Sequence, residues 1–105
     1  MPRVLSIRRS GARTLDDIAA RWPGAVYVGR AMRRAGYALP ESKWANPFKI
    51  GRAGTRAEVI ARYRAWIAQQ PALRAALPEL RGKDLVCWCA PEPCHAEVLL
   101  DLANR

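Results

Sequence analysis

The stretch VCWCAPEPCHAEVLLDL, residues 86–102, decides the fold. It opens on a compact apolar run, turns at Pro91 and Pro93, and then repeats apolar residues at helical spacing through Val98, Leu99 and Leu102. A short apolar run bounded by turn formers reads as a buried strand. The spacing after the prolines predicts a terminal helix over residues 95–104. All three cysteines and the one histidine of the chain fall inside this strand-to-helix turn, as Cys87, Cys89, Cys94 and His95.

Working outward, Gly82 separates the strand over residues 85–89 from PALRAALPEL, residues 71–80, where Pro71 starts one or two helical turns. Upstream, Thr55 and Glu58 have capping-box spacing, and Val59, Ile60, Tyr63, Trp66 and Ile67 mark one face of a helix reaching about residue 69. AVYVG, residues 25–29, is a second buried-type strand. Before it, Thr14 and Asp17 cap a short helix with Leu15, Ile18, Ala19 and Trp22 on one face, ended by Pro23 and Gly24. RVLSIR, residues 3–8, reads as the first strand.

Three apolar strands separated by helical segments predict parallel crossovers. The expected architecture is a small layered α/β domain, with a mainly parallel sheet of three or four strands flanked by helices. At 105 residues the chain is read as one domain, residues 1–105, because a second core would be too small to stand alone. Residues 30–54 lack a sustained period and form a long loop, in which NPFKIG reads as the start of an edge strand in a short hairpin.

The formal charge is +9 and comes mainly from arginine. The guanidinium fork suits phosphate, so the expected partner is a phosphorylated small molecule or a nucleic acid. An Arg- and Ala-rich composition also leaves a merely solvated basic surface as an alternative source of that charge. No signal-like or membrane-spanning apolar run is present, which predicts a cytoplasmic protein with no membrane partner. Cytoplasmic thiols stay reduced, and an odd number of cysteines argues for thiols or metal ligation over a disulfide framework.

Cys87 and Cys89 stand two apart on a strand, so they share a face while Trp88 takes the other. Cys94 and His95 open the last helix, where backbone N–H groups lack partners and the dipole is positive. That end favours a thiolate and makes Cys94 the expected reactive group, with His95 and Cys89 as its catalytic companions. The alternative is a structural zinc held by Cys87, Cys89, Cys94 and His95, although adjacent Cys-His strains a tetrahedral approach. Otherwise no cofactor is expected. Cys87 as a small core residue, with His95 in a local hydrogen bond, is the plain packing reading.

Open α/β sheets bind ligands beyond the carboxyl ends of their strands. Gly29 and Arg30 should therefore share an edge with residues 89–95. GRAGTRAE, residues 51–58, leads two glycines into a capped helix start carrying Arg52 and Arg56 and offers these arginines, with Thr55, as a phosphate site, although these glycines equally suit plain turns. SKWANPF, residues 42–48, adds Lys43 for charge, Asn46 to orient a base or sugar, and Trp44 with Phe48 as flat faces. Tyr63 and Trp66, three apart on a helix, read as core.

Four motifs in order carry a resemblance: YVGR at residues 27–30, S-x-x-A-N-P-F at residues 42–48, Y-R-x-W at residues 63–66, and C-W-C-x4-C-H at residues 87–95. The chain resembles the small bacterial and phage proteins grouped as domain of unknown function 4326, with Ala45 where glycine is common. The last motif is also similar, more distantly, to another uncharacterised α/β family with a strand-to-helix Cys-His turn. The resemblance implies that the turn is a site, and it supplies no activity. Three functions follow. The first is an enzyme or sensor for a nucleotide or nucleic-acid-derived substrate, in which Arg30, Lys43 and Arg52 hold phosphate. The second is a non-enzymatic basic module that binds nucleic acid. The third is an interaction protein with structural cysteines.

Overall fold

The computed structural model describes residues 2–8, 10–88 and 92–105. Three parallel strands, β1 (Val4–Ser6), β2 (Val26–Tyr27) and β3 (Leu85–Cys87), form one sheet in the order β1-β3-β2. Both neighbours align on β3: Val4 and Val26 oppose Leu85, and Leu5 and Tyr27 oppose Val86. The central strand is buried along its length, which explains its unbroken apolar sequence. The architecture is thus the small parallel α/β arrangement that the alternation of apolar runs predicts.

The paired strands are shorter than the apolar runs that carry them. Ladder hydrogen bonds continue one residue beyond each edge strand, from Ile7 N–H to Cys87 O and from Val28 N–H to Val86 O, both 2.9 Å. Beyond these bonds the backbone leaves the sheet for the loops that build the site.

Alternating side chains divide the core into two layers. Val28, Leu85 and Cys87 face Tyr63 and Ile67 of α2 (Arg56–Ala68) and Val98 and Leu99 of α4 (His95–Ala103). Tyr27 and Val86 face the opposite layer, with Ile7, Ile18 and Leu39. Between α2 and β3 the chain runs through α3 (Pro71–Ala76) and a 3₁₀ turn (Leu77–Leu80). Pro71 takes the start of α3, where its missing N–H costs nothing.

The predicted caps form. Thr14 accepts from Asp17 N–H at 3.1 Å and opens α1 (Leu15–Arg21). Thr55 Oγ1 accepts from Glu58 N–H at 3.2 Å, and the Glu58 carboxylate accepts from Thr55 N–H at 2.9 Å, a complete capping box. That Thr55 backbone donor holds the exposed Glu58 carboxyl below its ordinary value. Thr55→Ala should lower unfolding stability by about 1 kcal/mol, read from the midpoint of urea denaturation at unchanged slope.

Two local expectations need correction. Ala19 and Leu15 are exposed on α1, whose anchors are Ile18 and half-buried Trp22. One short helix against the edge of a small sheet needs only a narrow apolar stripe. The hairpin lies earlier in the loop than NPFKIG: Met32 and Leu39 exchange two 3.0 Å backbone hydrogen bonds across a turn closed by Tyr37 N–H to Arg34 O. Ala35 and Gly36 both take positive φ, 55° and 83°, the geometry of a tight hairpin turn. NPFKIG instead starts in an Asn46 side-chain turn, with Oδ1 accepting from Phe48 N–H at 2.9 Å.

A cavity at the carboxyl edge of the sheet

Where β2 and β3 end, the chain leaves a cavity of about 530 Å³. Gly29 and Arg30 approach it from β2, Cys87 and Trp88 from β3, and Pro93, Cys94 and His95 from the start of α4. The strand ends thus meet as the carboxyl-edge rule predicts. Asn46, Phe48, Lys49 and Ile50 of the loop and Arg56, Val59 and Ile60 of α2 complete the walls.

Its charge is one-sided. Arg30, Arg34, Lys49 and Arg56 line it, and none of the described lining residues is acidic. Arg30 also has a structural duty: Nε and Nη2 donate to Asn46 O at 3.1 and 2.9 Å, and Nη2 reaches Phe48 O at 3.0 Å. It therefore fastens the NPF loop to the end of β2. Arg56 Nη1 donates to Pro93 O at 3.0 Å, joining the start of α2 to the turn before α4.

Trp88 forms an aromatic wall. Its indole N–H donates to Tyr27 Oη at 2.7 Å, and Tyr27 O–H donates to Arg30 O at 2.5 Å. Tyr37 meets the same indole edge-on, with centroids 5.0 Å apart. Burial pushes the Tyr27 phenol above its ordinary value and keeps it a neutral donor. The folded-back phenol leaves no room at residue 29, where an added Cβ would stand 2.6 Å from Tyr27 Oη. Gly29→Ala should displace that ring, shift the tryptophan emission and lower stability by about 1–3 kcal/mol on thermal or urea unfolding.

The floor holds the sulfur and imidazole groups. Cys87 Sγ and Cys94 Sγ are 3.1 Å apart, both buried. His95 is buried, its ring edge-on to Tyr63 at 5.0 Å, and its Nε2 lies 2.7 Å from Val28 O. A carbonyl only accepts, so Nε2 carries the proton, and in the neutral ring the lone pair is on Nδ1. This bond pins the start of α4 to the end of β2. Cys89 lies outside the described residues, as does Pro91. The described part of the zinc alternative is therefore Cys87, Cys94 and His95. Thiolates bound tetrahedrally at a zinc–sulfur distance of about 2.3 Å stand roughly 3.8 Å apart, wider than this pair. Among the described residues no group of three or more His, Cys, Asp or Glu side chains is placed to hold a metal.

The other expected contacts divide. Arg30 and Asn46 border the cavity, whereas Lys43, Trp44, Arg52 and Thr55 do not. Lys43 pairs with Glu79 at 2.9 Å on the surface, and Trp44 is buried in the core beneath Tyr63. Arg52 is exposed in the turn between Gly51 and Gly54, and Thr55 caps α2. Within GRAGTRAE the glycines make turns and Thr55 caps α2, while Arg56 of the same stretch reaches the cavity. Lys49 and Trp88 are not among the expected ligand residues, and Arg34 enters the sequence reading only with Arg33, as a contact of the nucleic-acid-binding module. The only sequence signal for Lys49 is a positive charge in a long loop, and for Trp88 its place between two cysteines.

Fold and site define a small parallel α/β protein with a basic, thiol-bearing cavity at its strand ends. Residues 13–105 match the family described as Domain of unknown function (DUF4326), and the chain belongs to that family. It is similar to an uncharacterized protein of Acanthamoeba polyphaga mimivirus, 39% identical over 85 residues, covering 73% of this chain and 65% of the viral one. It is also similar to the uncharacterized 12.4 kDa protein in the nrdA-td intergenic region of Enterobacteria phage T4, 44% identical over 32 residues, 30% of either chain. The chain thus spans less than two thirds of the length of these relatives. No solved structure matches the chain. Among the described residues no helix is long and apolar enough to cross a membrane.

Proposed function

We propose that this protein binds a phosphorylated small molecule of nucleotide size in the carboxyl-edge cavity, with Cys94 as the reacting group. The observation that carries this reading is the lining: Arg30, Arg34, Lys49 and Arg56 converge on one concavity without a described acidic neighbour. A volume of about 530 Å³ is within the usual range for small-molecule sites. The first N–H groups of α4 add the positive end of a helix beside Cys94. Trp88 supplies a flat face for a base, and buried Asn46 an amide in the lining.

His95 acts mainly by position, because its Nε2 proton is committed to Val28 O. It sets where α4 begins and thereby where Cys94 sits; proton transfer by this ring would run through Nδ1. The same reading makes the protein cytoplasmic, where phosphorylated metabolites abound and thiols stay reduced.

The test is calorimetric titration with nucleoside 5′-monophosphates, inorganic phosphate, unphosphorylated nucleosides and a single-stranded oligonucleotide. The monophosphates should bind at least tenfold tighter than the nucleosides, and Arg56→Ala should remove most of that gain. Binding of the oligonucleotide alone, weakening steeply with salt, would replace this reading with that of a nucleic-acid-binding module.

A further inference from the structure

We infer that Cys87 and Cys94 are a redox-active dithiol, which a small hydroperoxide entering the cavity oxidises to an intramolecular disulfide. The inference extends beyond the ligand reading and does not require it. Cys87 ends the central strand and Cys94 stands at the N-cap position of α4, so two rigid elements hold their sulfurs together. Both are thiols here, with Sγ atoms 3.1 Å apart. Disulfide closure brings sulfurs to about 2.05 Å, so an approach of roughly 1 Å completes the bond. The two residues are only 1% and 4% exposed to solvent, yet both border the cavity, which gives a small oxidant its route.

The contact is a hydrogen bond in which one thiol donates and the other accepts. Cys94 is the better acceptor. It stands at the positive end of α4 and shares its cavity with Arg30, Arg34, Lys49 and Arg56, all of which favour negative charge there. The S–H of Cys87 then points at Cys94, placing the second sulfur in line for the second step.

Cys94 thiolate attacks one oxygen of the hydroperoxide; a sulfur–oxygen bond forms as the oxygen–oxygen bond breaks, and the leaving oxygen takes a proton. With hydrogen peroxide this yields the sulfenic acid and one water. Cys87, losing its proton, then attacks the Cys94 sulfur, forming the disulfide and expelling the hydroxyl as a second water. The two sulfurs lose two electrons and the peroxide gains them.

The test treats the reduced full-length chain with one equivalent of hydrogen peroxide, then alkylates and maps it by mass spectrometry. Two of the three thiols should lose reactivity together, with the Cys87 and Cys94 peptides cross-linked and the link reversed by dithiothreitol. Cys89→Ser should behave the same way. Cys87→Ala, checked for folding by circular dichroism, should stop at a Cys94 sulfenic acid trapped by dimedone. A bridge that includes Cys89, over-oxidation of Cys94 with Cys87 still alkylatable, or peroxide consumption no faster than by an unstructured cysteine peptide would overturn the inference. Because no nucleotide is present, failure of the ligand reading leaves each of these outcomes unchanged.

Discussion

Arg30→Ala is expected to lower stability by about 3 kcal/mol and to weaken binding of a phosphorylated ligand by roughly 10- to 100-fold. The side chain makes three hydrogen bonds to two carbonyls, Asn46 O and Phe48 O, from the end of β2. Removing it leaves those acceptors unmatched and unfastens the segment that carries Asn46, Phe48 and Lys49 to the cavity. A hydrogen bond from a charged donor is worth about 1.5–3 kcal/mol, and one such value for each of the two carbonyls, at the low end because Arg30 is partly exposed, gives about 3 kcal/mol. Arg30→Lys should restore little, because a point charge cannot reproduce the planar fork that grips both carbonyls. Urea denaturation and ligand titration on the same variants check both parts. Full stability in Arg30→Ala would show that the loop is held by other contacts.

The second large effect is at Tyr63. Its side chain is completely buried, its hydroxyl donates to Trp44 O at 2.7 Å, and its ring packs against His95 and Trp66 at 5.0 and 5.5 Å. Burial pushes the phenol far above its ordinary value, which favours the neutral hydroxyl that donates this bond. Tyr63→Ala should cost about 3–5 kcal/mol through the cavity it opens, a large share of the roughly 5–15 kcal/mol that holds a small domain together. Tyr63→Phe separates the hydroxyl from the ring and should cost about 1–3 kcal/mol, mostly from the unmatched Trp44 carbonyl. Two-variant thermal unfolding checks this ratio. Equal losses would place the stabilisation in the hydrogen bond instead of in packing.

The helices and strands were legible because each is amphipathic or apolar on a repeat that burial imposes. Val59, Tyr63 and Ile67 follow that spacing, and Leu85 to Cys87 is buried on both faces. The caps at Thr14 and Thr55 were legible because a hydroxyl three residues before a carboxylate has few better uses. The meeting of Gly29, Arg30, Cys94 and His95 followed from parallel topology alone.

The loop was harder. Ala35 takes a left-handed conformation that its own sequence gives no reason to expect, and this turn brings Arg34 to the cavity. Trp44 and Trp88 are hard to place from sequence for a related reason. An aromatic in an aperiodic segment shows no inward or outward face, so residue 44 looked available for stacking although Tyr63 draws it into the core. Trp88 alternates with Cys87 as expected, and only the position of Tyr27 turns its indole into a cavity wall.

The central claim is that four cations make one anion site and are not merely dispersed surface charge. Nitrogen-15 NMR during titration with a nucleoside 5′-monophosphate tests it most directly. The account predicts saturable shifts concentrated at Gly29, Arg30, Asn46, Trp88 and His95, and their loss in Arg56→Ala. Weak, non-saturating shifts spread over exposed arginines such as Arg8, Arg33 and Arg62 would contradict it.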